Sequence, residues 1–93
     1  MSKLQIFTIH DQPADAFIPP FFLPNENMAK RTFQQCIHDE THQFSKSPSD
    51  YTLFHLGEFD SETAEIIPTG SPITLGNGVV FLPHPDSKPQ TTE

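Results

Sequence analysis

The first pattern along the chain is an alternation of apolar residues between positions 3 and 10. On an extended chain, one side carries Leu4, Ile6 and Thr8, and the other side carries Gln5, Phe7 and Ile9. β-Branched and aromatic residues dominate, which predicts a strand with both faces partly covered. Asp11-Gln12-Pro13 should end this strand, because proline has no backbone N–H to donate to a ladder.

Residues 14–24, ADAFIPPFFLP, form a proline-rich apolar segment that we call the strap. A residue that precedes a proline is biased toward extended conformations, so we expect an extended strap with its rings on alternate sides. The simplest role for the strap is to close the core. The alternatives are a partner-facing strand, a homodimer interface, or a platform on which Phe21 or Phe22 stacks on bases.

The clearest helical period lies between Asn25 and Asp39. Either Asn25 or Asn27 can cap the helix. Four apolar residues then form one stripe: Ala29, Phe33, Cys36 and Ile37. Polar residues occupy the flanks and the outer face of the same helix: Lys30, Arg31, Gln34 and Gln35. We expect the helix to end near His38 or Asp39.

Residues 51–59 predict a central strand, reached through a polar bridge whose only large apolar anchor is Phe44. Apolar residues alternate on both faces of this strand, which indicates a helix on one side and another layer or a partner subunit on the other. Residues 60–63 are typical of a hairpin loop that returns into a strand over 64–67. Pro68 should stop that strand and marks it as an edge.

The C-terminal third is less regular. Residues 73–75 and 79–82 flank Gly76-Asn77-Gly78, a good tight-turn sequence, so they predict a short hairpin or an irregular covering segment. From Pro83 onward the chain lacks aliphatic and aromatic residues and is predicted to be a disordered tail. We therefore expect one α+β domain over residues 1–82, a small antiparallel sheet with one helix packed across it, followed by the tail 83–93.

Composition restricts the function. Nine Phe supply much of the apolar content, so a core of few large rings is feasible. The net charge of −7 argues against unaided attraction to a phosphate backbone. A single cysteine, Cys36, fits a reducing compartment. Because the sequence has neither a membrane-spanning apolar run nor a signal-peptide pattern, we expect a soluble cytoplasmic protein without membrane contact.

Few residues suggest catalytic or metal chemistry. His38 and His42 have the four-residue spacing at which one helix face can hold a metal, but the residue after His38 is Asp39 and no third ligand follows. Cys36 lies on the apolar stripe, which favours a buried structural thiol. His55, in mid-strand, is expected to be a hydrogen-bonded and partly buried imidazole. We predict that the protein is not an enzyme and uses no cofactor or metal.

A basic and aromatic group is the one candidate for nucleic-acid binding. Lys30 and Arg31, with Lys46 near them in space, can contact phosphates beside the rings of Phe21 and Phe22. Solvated flanks of a helix are the alternative interpretation of these cations.

Several motifs follow one another in a characteristic order along the chain. They are Ile18-Pro19-Pro20-Phe21-Phe22, Ala29-Lys30-Arg31-Thr32-Phe33, Phe44, Pro48, Asp50-Tyr51 and Leu56-Gly57-Glu58-Phe59-Asp60. Over residues 4–60 the chain resembles the small non-structural proteins of gokushoviruses, single-stranded DNA phages of the microvirus group. The resemblance implies a role in the cytoplasm of the infected bacterium, in viral single-stranded DNA synthesis or in DNA binding during replication and packaging. It also implies that Lys30 and Arg31 contact phosphates and that Phe21, Phe22 and Tyr51 stack on bases.

Two hypotheses follow. The first is a homodimeric, non-enzymatic phage accessory protein that supports replication or packaging through weak single-stranded DNA binding or through contacts with viral or host replication proteins. The second is an acidic interaction protein that binds and inhibits a host protein. DNA binding requires the cations on one face. Inhibition by mimicry of nucleic acid requires a stripe of carboxylates: Asp39, Glu40, Asp50, Glu58 and Asp60.

Overall fold

The protein folds into a curled antiparallel sheet with one main helix across it. The structure is a computed structural model and describes residues 3–82. The strands are β1 (Lys3–Asp11), β2 (Ala16–Phe17), β3 (Phe21–Leu23), β4 (Tyr51–Asp60) and β5 (Glu65–Asn77). The helices are α1 (Glu26–His38) and α2 (Gln43–Lys46), with 3₁₀ turns at Pro48–Asp50 and Gly78–Phe81. The predicted α+β class is confirmed. The predicted tail 83–93 lies outside the described residues.

β1 lies inside the sheet, because β2 and β3 pair with one of its sides and β4 pairs with the other. β4 pairs in turn with β5, so both β4 and β1 have neighbours on each side. The register between β1 and β4 shifts between Ile6 and Phe7: Ile6 lies opposite Gly57, and Phe7 lies opposite His55. The extra residue on β4 is Leu56, which makes this a β-bulge that bends the strand.

Helix α1 begins at Asn25, whose side-chain oxygen accepts a hydrogen bond of 2.9 Å from the Met28 backbone N–H. Its buried residues Ala29, Phe33 and Ile37 pack on one face of the sheet, as the apolar stripe predicts. The sheet contributes Phe7, Ile9, Tyr51 and Leu53 to this core, and the bridge after α1 contributes Phe44. The predicted helix and its predicted inward face are therefore confirmed.

From Ala16 to Leu23 the strap is extended and pairs with β1 through β2 and β3, as its prolines predict, whereas Ala14 and Asp15 form part of the turn after β1 and Asp15 has a φ of 52°. Its rings alternate as expected. Phe21 turns toward the helix, with its ring centroid 5.9 Å from that of Phe7. Phe22 turns to the opposite face of the sheet, where its ring lies 5.7 Å from that of Phe59. The strap therefore closes the core with one set of side chains and exposes the other set.

The predicted end of the fifth strand at Pro68 is wrong, because β5 continues through Pro68 and Pro72 to Asn77. A proline is tolerated in an edge strand, where a missing N–H need not break a ladder on both sides. The sheet order places β5 at an edge, as predicted.

The predicted hairpin over residues 73–82 is also wrong: residues 73–77 belong to β5, and the alternative of a covering segment holds only for residues 78–82. Asn77 does not form a tight turn; its side chain caps the 3₁₀ turn at Val79 and donates a hydrogen bond of 3.0 Å to the Ser49 carbonyl. Gly76 makes room for the Phe81 ring, since a Cβ at Gly76 would lie 2.9 Å from Cε2 of Phe81. The C-terminal turn thereby covers the core beside α1.

Candidate functional site

The face of the sheet opposite α1 has no layer on it within residues 3–82, and we call it the open face. Its side chains come from all five strands: Leu4, Ile6, Thr8 and His10 of β1, Phe17 of β2, Phe22 of β3, Phe54, Leu56 and Phe59 of β4, and Ile66 of β5. Ring contacts tie these strands together, with centroids 5.7 Å apart in both the Phe17–Phe54 and the Phe22–Phe59 pairs. Phe17 and Phe22 remain 52 % and 44 % exposed.

Two depressions adjoin on the open face. One, of about 390 Å³, has Ile6 and Leu56 at its floor, Phe22 on one rim and Ile66 on the other. The second, of about 250 Å³, lies beside Phe17 and Thr8. They share Leu56 and the two prolines Pro20 and Pro72, so they form one continuous apolar groove. The sequence signal for it was the run of apolar residues on the second face of β1 and β4.

The predicted nucleic-acid site is not assembled as one surface. Phe22 lies on the open face, whereas Phe21 faces the core on the other side of the sheet. Tyr51 is only 8 % exposed, and its ring packs 4.3 Å from that of Phe44. A ring that is enclosed in this way presents no free face on which a base can stack.

The predicted cations lie on the helix side. Lys30 follows Glu26 by one helical turn, and Glu26 Oε2 lies 3.9 Å from His55 Nδ1, so this flank of α1 faces β4. The opposite flank, through Thr32 and Cys36, faces the strap. Lys30 is therefore separated from the strap rings by the width of the helix.

The other two predicted cations also lie away from the rings. Arg31 is exposed on the outer surface of α1. Lys46 Nζ donates to the Glu40 carbonyl at 3.3 Å, beyond the end of the helix. No lysine or arginine side chain of the described chain lines either depression of the open face.

Carboxylates concentrate at the end of the β4–β5 hairpin, which we call the acidic hairpin: Glu58, Asp60, Glu62 and Glu65. Asp60 and Glu65 are directly opposite each other across the two strands. Lys3 lies beside them and pairs with Glu58 at 3.8 Å, which leaves an excess of negative charge. Glu58 and Asp60 were predicted from the sequence as part of an acidic surface, whereas Glu62 and Glu65 were missed although the hairpin that carries them was predicted.

Hydrogen bonds fix the loop of the acidic hairpin. The Asp60 carboxylate accepts from the Glu62 backbone N–H at 2.9 Å, and the Asp60 carbonyl accepts from the Ala64 N–H at 2.7 Å. Ala64 adopts a left-handed conformation with φ of 66°, which is uncommon for a residue with a Cβ. The carboxylates are thereby held on a defined turn.

The histidines take separate structural roles. His38 Nε2 lies 2.7 Å from the Phe81 carbonyl oxygen, whereas His42 Nδ1 accepts from the Phe44 N–H at 3.1 Å. His55 is partly buried and hydrogen-bonded, as predicted: its Nε2 lies 2.8 Å from Gln5 Oε1. Within residues 3–82, no three His, Cys, Asp or Glu side chains come together as candidate metal ligands.

The Cys36 thiol is half-buried beside the core. Burial, and then the negative charge of Asp39, raise the pKa of this thiol above its ordinary value. A raised pKa disfavours the thiolate, so the local chemistry matches the structural role predicted for Cys36.

None of the helices in residues 3–82 has the length and apolar character needed to cross a membrane. No curated protein and no solved structure shows significant similarity to the chain. A protein family described as "Phage ORF5 protein" matches residues 4–81. This match covers the sheet, the helix and both 3₁₀ turns, and is therefore not limited to one motif. The chain belongs to the Phage ORF5 protein family.

Proposed function

We propose that this phage protein is a non-enzymatic accessory factor in the cytoplasm of the infected bacterium. It supports viral single-stranded DNA replication by contacting a protein of the replication complex, and it does not hold the DNA itself. The resemblance to gokushovirus non-structural proteins supplies the replication setting. The acidic hairpin is the observation that carries the mode of action, because it gives the protein a negatively charged recognition surface.

A basic protein surface is the partner that this hairpin suits. Proteins that handle DNA carry lysine and arginine on the surface that meets phosphates. Complementary charge raises the rate of association and selects among partners. With a net charge of −7, the whole chain adds to the attraction toward such a surface.

The stability of the hairpin does not account for its carboxylates. Like charges that are directly opposite in an antiparallel pair destabilise it, and Asp60 and Glu65 are such a pair. A sequence selected only for folding would favour opposite charges at these positions. The carboxylates at this end of the hairpin therefore support a role in recognition.

Direct binding of single-stranded DNA is the less favoured form of the replication role. It requires cations next to stacking rings, and here Lys30 and Arg31 lie on the helix side while Phe22 lies on the open face. Inhibition of a host protein uses the same acidic surface, so the two ideas differ in the partner and not in the site.

A genetic experiment tests the proposal. Phage carrying Glu62→Gln and Glu65→Gln should accumulate less viral single-stranded DNA per infected cell than wild type, measured by quantitative PCR. Phage carrying Asp15→Asn and Glu40→Gln is the matched control, since it loses two exposed carboxylates elsewhere. Cross-linking in infected cells should join the hairpin to a basic surface of a replication protein in wild type and in the control, but not in the hairpin variant.

Other outcomes would overturn the proposal. Equal DNA yield from the hairpin variant and wild type would exclude a replication role for the acidic hairpin. Salt-sensitive binding of the purified protein to single-stranded oligonucleotides, lost in Arg31→Glu, would establish direct DNA contact instead. A hairpin-dependent arrest of uninfected cells that express the protein would favour inhibition of a host protein.

A further inference from the structure

The open face is an uncharged surface on an acidic protein. The residues that line its groove are aliphatic, aromatic, proline, glycine or hydroxyl residues, and none of them is charged. In the strands of the acidic hairpin, Glu58, Asp60 and Glu65 alternate with Phe59 and Ile66, so these carboxylates belong to the opposite face of the sheet. The residues that give the chain its net charge of −7 therefore do not line the groove of this face.

We propose that the open face binds a second copy of this chain, giving a two-fold symmetric dimer. This inference goes beyond the proposed function and does not depend on it. Two like-charged copies repel each other wherever their carboxylates meet, so an uncharged face is the surface on which they can approach. Contact through the same face of both copies is the geometry of a closed dimer.

The shape of the face is self-complementary. Phe17 and Phe22 project from it, and the groove beside them is apolar. A cavity of about 150 Å³ is sufficient to hold a benzene ring. The larger depression, of about 390 Å³, therefore has room for a phenylalanine ring of the second copy.

The area of the face fits a reversible dimer. β1 is nine residues long. At about 3.3 Å per residue and about 4.8 Å between rows, four rows of about this length (the strap with β2 and β3, then β1, β4 and β5) give a face of roughly 500–600 Å². Two such faces bury about 1,100 Å² in total, close to the lower end of stable interfaces. We therefore expect a dimer that forms at micromolar concentration.

The rim of the groove carries the same kind of side chain that the groove needs as a cover. Burying the groove requires large apolar groups, and the rim of a second copy provides them through Phe17, Phe22 and Ile66.

Sedimentation velocity of the purified full chain tests this inference, over protein concentrations from about 1 to 200 μM. The 10.5 kDa chain should approach twice that mass as concentration rises. Raising the salt should maintain or strengthen the dimer, because it screens repulsion between the like-charged copies. Phe17→Glu and Phe22→Glu should each weaken dimerisation about tenfold or more, since each buries a charge in the contact.

Two further variants keep the test decisive. Ile66→Asp alters the opposite rim of the groove from a different strand and should also give monomers, so the test survives if a phenylalanine variant fails to fold. Val80→Glu is the matched control, because Val80 is 64 % exposed but lies in the C-terminal 3₁₀ turn, away from the open face. Val80→Glu should dimerise like wild type.

Three results would overturn the inference: a wild-type monomer across the whole concentration range, a dimer that folded Phe17→Glu, Phe22→Glu and Ile66→Asp proteins retain, or a dimer that Val80→Glu abolishes. The first result would leave the open face for a different protein. The other two would place the contact on another surface. Replication phenotypes of the acidic hairpin variants would be unaffected by any of these results, so the two proposals fail separately.

Discussion

Phe33 of α1 and Phe81 of the C-terminal 3₁₀ turn meet edge to face, with ring centroids 5.3 Å apart and planes at 78°. Phe33 makes a second such contact with Phe44, at 5.9 Å. One side chain thus joins the helix, the polar bridge and the C-terminal turn. The three segments should lose stability together when this ring is removed.

We expect Phe33→Ala to lower the free energy of unfolding by about 3–5 kcal/mol, because Phe33 is buried and its removal leaves a cavity. Urea denaturation followed by circular dichroism measures this change. Met28→Ala, at an exposed position of the same helix, should cost less than about 1 kcal/mol. A near-neutral Phe33→Ala would contradict the assignment of this ring to the core.

Gly57→Ala should be strongly destabilising, by about 2–4 kcal/mol, because the β-bulge leaves no space for a side chain. A Cβ at Gly57 would overlap the carbonyl oxygen of Ile67 and lie 2.9 Å from the Pro68 Cα. Gly70→Ala is the comparison, since its Cβ meets nothing within 4 Å and only the φ of 99° opposes it. In thermal melts, Gly57→Ala should have a much lower Tm than Gly70→Ala. The reverse order would contradict the close approach of β5 to Gly57.

The Cys36 thiol should react slowly with alkylating reagents at neutral pH, because burial and Asp39 raise its pKa and so reduce the thiolate fraction. The rate should rise with pH into the alkaline range. Asp39→Asn removes the nearby negative charge and should increase the rate at a given pH. Iodoacetamide labelling followed by mass spectrometry gives both rates, and an unchanged rate in Asp39→Asn would show that Asp39 does not affect the thiol.

Tyr51 links stability to alkaline pH. Burial, followed by the negative charges of Asp11 and Asp50, raises the pKa of the Tyr51 phenol above 10.0. The unfolded chain therefore loses the phenol proton at lower pH than the folded chain. The contribution of Tyr51 to the free energy of unfolding is complete below pH 10.0 and is lost as the pH rises through the pKa of the folded state. Wild type should lose stability there more steeply than Tyr51→Phe, as measured by urea midpoints between pH 8 and pH 11.

The elements with a regular apolar period could be predicted from the sequence. The helix stripe of Ala29, Phe33 and Ile37, the alternation in β1 and the turn-bounded strand β4 all repeat a local pattern that sequence displays. The strap was also predictable, because each proline restricts its own φ and the residue before it.

The features that were missed depend on long-range contacts. Asn77 caps a 3₁₀ turn and binds Ser49 because the two segments meet in space, and neither residue reveals the other locally. The separation of Lys30 from Phe22 depends on which flank of α1 faces β4, and composition carries no information about that flank. The acidic hairpin differs, because its turn was predicted from the sequence and only the grouping of Glu62 and Glu65 with Glu58 and Asp60 was missed.

Pro68 and Pro72 on the edge strand β5 also determine how far association can proceed. An unpaired edge can recruit further strands and so begin an open-ended fibre. Two missing N–H donors and two rigid rings make this edge a poor template for continued growth. This edge should therefore resist the strand-by-strand growth by which an apolar sheet protein turns into insoluble fibres.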